Sequence, residues 1–432
     1  MRDRPLPRTL ADWLRHQENS HPRGIVLGLN RVREVWQRMG DARPAPCIVT
    51  VGGTNGKGST VAMIEAVLRA AGRRVGAYTS PHLLRYNERV RIDGRDVDDE
   101  ALIAAFGRIE RARGEIPLTY FEFGTLAALD LFARAGLDAA VLEVGLGGRL
   151  DAVNLIDADV AVITTVDLDH MEWLGEDRDA IGREKAGIVR AGRPAVIGEL
   201  HPPQGLLDAA HAAGAVVWRA GQDFGIERSG EGWHFWHRDG TRLELPVLPL
   251  AAPVQYANAA SALAGLHALD QALLGGMPLA EAAARGLRAV RVPGRLQALG
   301  GDPALFVDVG HNPQAARVLA TWLDTQPRVP TQAVFGALSD KDVGGVIAAL
   351  GPRIDHWQLA SLDGDTPRGL PAAALARALG IESPSTGFTM HADVGMALRA
   401  ARAATPAGGR ILAFGSFFVV AAVLGRQAGD TR

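Results

Sequence analysis

The sequence predicts an α/β fold, a doubly wound sheet domain followed by a smaller open α/β domain. Three observations predict it. Short apolar, β-branched runs alternate with stretches whose apolar residues recur at helical spacing, the pattern of βαβ units. Three of the early runs end in polar residues, Ser80, Glu143 and His170, and open sheets bind ligands at the carboxyl ends of their strands. The third observation is a glycine-rich turn, GGTNGKGST at Gly52–Thr60, between the strand-like Cys47–Val51 and the helix-like Val61–Ala71.

That turn is built for a phosphate. Gly52, Gly53, Gly56 and Gly58 let backbone N–H groups curl around an anion without Cβ clashes. The helix N-terminus adds positive dipole, Lys57 adds a full charge, and Ser59 or Thr60 is placed to offer a hydroxyl to a magnesium ion. It is a variant P-loop: Val51 stands at the usual first glycine, and Gly58 rather than Ser or Thr follows Lys57. Nucleotide phosphate binding is the expectation.

A chain of 432 residues implies two or three domains, and 47% hydrophobic with 22% charged residues gives each a core. A net charge of −2 argues against a broad nucleic-acid or membrane-surface patch. Cys47 is the single cysteine, so no internal disulfide forms, as suits a reducing cytosol. With no signal-like apolar region and no run of spanning length, the expectation is a soluble, cytoplasmic protein, a monomer, without nucleic-acid or membrane partners.

In chain order, Thr9 caps a first surface helix to Gln17, and Leu29–Met39 reads as a second, with the loop GIVLGLN at Gly24–Asn30 between them. The glycine turn follows, then a strand Val75–Thr79 ending in Ser80-Pro81-His82. Helices Asp99–Arg111 and Phe121–Ala135 precede the strand Ala139–Glu143. A lone carboxylate at Glu143 would be costly to bury, so either a magnesium ion or Arg149 should meet it. The strand Val160–Val166 leads to Asp167–His170, and REKAG at Arg183–Gly187 closes a helix that on its own reads as a solvated face.

Strands recur at Ala195–Gly198 and Val216–Arg219, and GWHFWHRDGTRLELPVL alternates as a hairpin around Asp239-Gly240. That alternation, rather than a metal or base-stacking site, accounts for Trp233–His237. Helices Val254–Leu274 and Leu279–Ala289 lead to RVPGR at Arg291–Arg295, where the domain boundary falls, dividing residues 1–290 from 291–432. Beyond it, strands at Ala304–Val309, Ala333–Leu338, Trp357–Ala360 and Ile411–Phe414 form the second α/β domain, with Asp308 and His311 just past the first.

GTNGKGST, YTSPHLLRYNERVRIDG, FEFGTLAAL, LEVGLGGRLDAVN, LDHMEWLG, IGREKAGI, PGR and DVGHNP run in this order along nearly the whole chain. Together they resemble the bacterial dihydrofolate synthase/folylpolyglutamate synthase family, ATP-dependent amide ligases grouped with the peptidoglycan Mur ligases. The resemblance implies a P-loop domain followed by a Rossmann-like domain. It also implies two reactions, joining L-glutamate to dihydropteroate and lengthening the glutamate tails of tetrahydrofolates.

Carried onto matching positions, the resemblance implies that Thr54, Asn55, Gly56, Lys57, Gly58 and Ser59 hold ATP phosphates. Ser80, Glu143 and His170 become magnesium ligands, with two Mg²⁺ sites expected, and Lys185 a lysine carbamylated by CO₂. Asn258, Arg295 and Asp308 become nucleotide contacts, and His311 with Asp308, Lys57 and Lys185 the catalytic set. The pterin falls to Leu27, Gly28, Leu29 and Asn30, to Thr119, Tyr120, Phe121 and Glu122, and to Leu150, Asp151 and Ala152. The implied chemistry is an acyl phosphate captured by the glutamate amine. The competing readings are a Mur-type peptidoglycan ligase and a P-loop phosphotransferase.

Overall fold

A computed structural model describes residues 6–21, 26–229, 232–269, 271–383 and 385–430. Of the loop expected at Gly24–Asn30, Gly24 and Ile25 lie outside the described residues. The chain forms two compact units. One ends at Val290, and the other runs from Arg291 and also takes in the short segment Leu250–Gln255. Sequence reading assigns that segment to the first domain, but Ala252 and Val254 pack into the second unit's apolar cluster.

The first unit is built on an eight-stranded mixed sheet in the order β4-β3-β2-β5-β1-β6-β7-β8. Its strands are β1 (Cys47–Gly52), β2 (Val75–Tyr78), β3 (Val90–Ile92), β4 (Arg95–Asp96), β5 (Ala139–Glu143), β6 (Val160–Ile163), β7 (Pro194–Ile197) and β8 (Val216–Arg219). The six strands from β2 to β8 in that order run parallel, and β3 and β4 add an antiparallel edge. Parallel strands buried on both faces need apolar residues throughout, which is why Cys47–Gly52 and Ala139–Glu143 read as runs rather than alternations.

Successive residues serve opposite faces. Ile48, Tyr78, Ala140 and Leu142 pack with Phe106, Phe123 and Leu126 of the helices Asp99–Arg113 and Tyr120–Ala135. Ala161 and Ile163 pack with Ile181 and Leu206, from the helices Arg178–Ala186 and Gln204–Ala212. Val160 and Val162 instead meet the helix at Gly265, where an added Cβ would lie 3.1 Å from Val162 Cγ2.

A three-stranded antiparallel sheet, β9 (Phe224–Ser229), β10 (Gly232–His237) and β11 (Arg242–Pro246), follows. The hairpin turns at Asp239-Gly240, with Trp233 and Phe235 buried and Trp236 less so, as alternation requires. Strands β3 and β4, three and two residues long, are too short to be read in advance, and β9 has only Phe224 and Ile226 to mark it.

The second unit has a six-stranded sheet in the order β12-β13-β17-β14-β15-β16. Its strands are β12 (Gln297–Gly300), β13 (Ala304–Asp308), β14 (Thr331–Phe335), β15 (His356–Ala360), β16 (Gly387–His391) and β17 (Arg410–Phe414). All pair in parallel except β12, which lies antiparallel to β13. Its core gathers Phe335, Trp357, Leu359 and Phe414. Among the described residues no helix is long and apolar enough to cross a membrane.

Candidate active site

Ser80 and Glu143 stand at or just past the ends of β2 and β5, and His170 lies seven residues beyond the end of β6. After β1 the chain turns through Gly53 and Gly56, both in the left-handed region at φ +143 and +86, and enters the helix Lys57–Ala70 at once. The turn is fastened to the loop after β6: Thr54 N donates to Thr165 O at 2.8 Å, Asn55 N to Thr165 Oγ1 at 3.0 Å, and Thr164 Oγ1 to Asn55 O at 2.6 Å. A Cβ at Gly53 would lie 1.9 Å from Thr164 Oγ1, and one at Gly56 2.4 Å from Asn258 Oδ1. Lys57 Nζ donates to Gly53 O and Thr54 O at 3.1 and 3.3 Å, so its cation sits over the turn.

The cradle fits a phosphate with its metal. Ser59 Oγ and Thr60 Oγ1 are buried without a hydrogen-bond partner among the described residues, although most buried hydroxyls find one. They lie in the first turn of a helix whose N-terminal dipole favours an anion.

At the end of β5, Glu143 is 4% exposed and one of its oxygens, Oε2, accepts from Ser80 N at 3.1 Å. Arg149 does not meet it. That guanidinium pairs with Glu184 at 2.8 Å, which removes Arg149 as the cation expected beside Glu143. His170 caps the short helix Met171–Leu174 in a left-handed conformation, φ 50, with its N–H on Asp169 Oδ1 at 2.9 Å.

Lys185 lies on the helix Arg178–Ala186, 3% exposed, so within REKAG Lys185 and Ala186 are buried while Arg183 stays exposed. Burial brings its ammonium down to about 7, the charge of Lys57 adds to this, and Asp169 opposes it. Its amine is therefore substantially neutral near pH 7, as a nucleophile toward CO₂ must be.

Beside these groups is a cavity of about 280 Å³, lined by Leu27, Gly28, Thr119, Tyr120, Phe121, Glu122, Leu150, Asp151 and Ala152 together with Ser80 and His170. Leu29 and Asn30, expected on the same wall, do not line it. They begin the helix Asn30–Arg38, where Leu29 is the N-cap residue and Asn30 is exposed. The walls are tied by buried charge. Thr119 and Glu122 form a capping box, Thr119 N donating to Glu122 Oε2 at 2.7 Å, and the other carboxylate oxygen pairs with Arg31 at 2.8 Å.

Asp151 accepts from Leu146 N at 2.8 Å and Val153 N at 2.9 Å, which fixes the glycine-rich loop after β5. Burial raises its carboxyl to about 6 against those donors. Sequence reasoning misses Arg89, also on the cavity wall, which donates to His82 Nδ1 at 2.9 Å and stands over the rings of Tyr86 and Tyr120. Its only signal was a place inside RYNERV.

The second unit carries the remaining candidates. Asp308, at the end of β13, accepts from Leu296 N at 2.7 Å and Gly310 N at 2.6 Å, and burial raises its carboxyl in spite of Arg295. Arg295 lies over the Phe417 ring. His311 Nδ1 donates to Val309 O at 3.0 Å, which orients the ring.

Two family models match the chain, the Mur ligase middle domain over residues 51–264 and the Mur ligase glutamate ligase domain over residues 294–417. The dihydrofolate synthase/folylpolyglutamate synthase of Escherichia coli is 46% identical over 417 residues, which is 96% of this chain and 94% of that protein. That of Haemophilus influenzae is 42% identical over 95% of this chain and 96% of its own length. Among solved structures, E. coli FolC in complex with DHPP and ADP superposes with a TM-score of 0.92 at 43% identity, covering 99% of this chain and all of that one. A bifunctional folylpolyglutamate synthase/dihydrofolate synthase with Mn, AMPPNP and L-glutamate bound has a TM-score of 0.88 at 46% identity, covering 98% and 99%. With two such matches over nearly its full length, the chain belongs to the dihydrofolate synthase/folylpolyglutamate synthase family of the Mur ligases.

Proposed function

We propose that this ATP-dependent ligase joins L-glutamate to dihydropteroate and adds glutamate to the tails of tetrahydrofolates. The observation that carries the reading is a shared wall: Ser80 and His170 line the same cavity as Tyr120, Phe121 and Leu150. An acid seated among those aromatic and aliphatic side chains would have its carboxylate beside two oxygen and nitrogen donors suited to a cation. Relatives that hold DHPP with ADP, or Mn with AMPPNP and L-glutamate, support the same assignment.

The chemistry follows from a poor leaving group. A carboxylate does not acylate an amine at neutral pH until its oxygen is phosphorylated, so the acid takes the γ-phosphoryl of ATP and the glutamate amine then displaces phosphate. The N-terminus of the helix that follows the Gly53–Gly56 turn receives the phosphates, and Lys57 holds its charge against the oxygens that gain charge during transfer. Ser59 or Thr60 would hold one Mg²⁺, and Ser80, Glu143 and His170 would hold Mg²⁺ at the strand ends. Bound there, the metal neutralises phosphate charge and polarises the acid.

Lys185 would supply hard oxygen once carbamylated: its neutral amine adds to CO₂ and loses a proton, which gives an anion with two oxygen donors. Asn258, Arg295 and Asp308 are assigned to the nucleotide and His311 to the transfer step. Oxygen-18 tracing tests the central claim. Label placed in the carboxylate of dihydropteroate must appear in the released inorganic phosphate, and label kept wholly in the amide product would refute the acyl phosphate.

A further inference from the structure

Away from the nucleotide turn, the first unit brings together three side chains that no step above uses. His237 ends β10, Asp239 stands in the turn two residues later, and His267 closes the helix Val254–His267. One ligand atom from each lies within 4.8 Å of the others. Asp239 bridges the pair, with Oδ1 at 3.0 Å from His237 Nδ1 and Oδ2 at 2.8 Å from His267 Nε2.

Two further features bear on what the cluster can hold. His237 is 6% exposed and its Nε2 is buried with no hydrogen-bond partner among the described residues. Nδ1 is the ring nitrogen that faces Asp239, so it would be the ligand atom, and no partner at Nε2 among the described residues holds the ring against that role. The second feature is the packing: Trp218 stands 4.5 Å from the His237 ring, so one side of the cluster is an apolar wall, while Asp239 is 47% exposed and gives a way in from solvent. Thr241 N donates to Asp239 Oδ1 at 2.9 Å and so orients the carboxylate from its own turn.

We infer that His237, Asp239 and His267 form a binding site for a divalent transition ion of the zinc type, which cross-links the hairpin to the end of the helix. Two imidazoles and one carboxylate suit Zn²⁺ and its neighbours, whereas Mg²⁺ prefers an all-oxygen shell. Tetrahedral bonds of ~2.0–2.1 Å set donor atoms about 3.4 Å apart, so side-chain adjustments of about an ångström close the site, with water as the fourth ligand. The role is structural, because the three residues belong to none of the groups assigned to the reaction.

The test is zinc binding to the full chain in excess Mg²⁺, measured by competition with a chromophoric chelator, beside the variants Asp239→Asn and His267→Gln. The wild type should bind one equivalent of Zn²⁺. Each variant should lose more affinity than the ~10–100-fold that removal of an outer partner costs, with ligase turnover unchanged. Zinc should also raise the melting temperature of the wild type and not that of the variants. Should a variant fold poorly, Co²⁺ added to the wild type reads the site directly through the visible spectrum of an ion held by imidazole. No Zn²⁺ bound, no such spectrum, or equal affinity in wild type and variants would overturn the site and leave a hydrogen-bonded His–Asp–His group.

Discussion

A Cβ on Gly56 would stand 2.4 Å from Asn258 Oδ1, at a residue whose φ is +86. The helix carrying Asn258 thus closes directly over the phosphate turn, and the glycine is required twice, for its backbone conformation and for its lack of a side chain. Gly56→Ala should cost about 1–2 kcal/mol for the left-handed backbone, with more from the contact, and abolish nucleotide binding. Asn258→Ala should recover the contact part but not the backbone part. Denaturant unfolding of the four members of the cycle without nucleotide checks this, and strict additivity would mean that the two residues do not press on each other.

Lys185 is buried, with an amine brought down to about 7. Lys185→Ala should nearly abolish turnover while leaving the fold intact, and small carboxylates such as acetate should restore part of it by entering the space the carbamate leaves. Turnover with and without added carboxylate is the measurement. Unimpaired activity in the variant would remove carbamylation from the mechanism.

How much of this was legible in the sequence depended on whether a residue's partners were near in the chain. The turn at Gly52–Thr60 declares itself, because strand, glycines, lysine and helix are contiguous. Glu143 and His170 show as polar ends of apolar runs, but Arg149 misleads, since its pairing with Glu184 arises from tertiary packing. Lys185 reads as solvated because Arg183 and Glu184 stand beside it in the chain, whereas its burial is a property of the folded protein. The loop around Leu27 and the cavity wall at Leu150 carry no local chemistry and are assigned only through the family. His237 illustrates the same limit: alternation explains its strand, while His267, thirty residues on in round figures, comes beside it only through the fold of the helix.

The cavity wall offers a sharper test of the pterin assignment. A Cβ on Gly145 would lie 2.5 Å from Phe121 Cζ, and both residues line the cavity. Gly145→Ala must therefore displace the ring that lines the space proposed for the pterin. The KM for dihydropteroate should rise about tenfold, equivalent to about 1.4 kcal/mol, while ATP affinity stays within experimental error. A fall in ATP affinity with an unchanged pterin KM would place the acid substrate elsewhere.

The second unit contains a histidine whose ring is oriented by a backbone carbonyl. His311 Nδ1 donates to Val309 O at 3.0 Å. If it acts on the transfer step, His311→Ala should lower kcat by about 100-fold or more, within the range for a lost proton-transfer group, while ATP binding changes by less than about twofold. His311→Gln should fold as the wild type and yet recover little, because an amide keeps hydrogen bonding but cannot carry a proton at this pH. Single-turnover measurements with ATP affinity taken from fluorescence titration separate the outcomes. A loss confined to ATP affinity would assign His311 to holding the nucleotide and not to the chemistry.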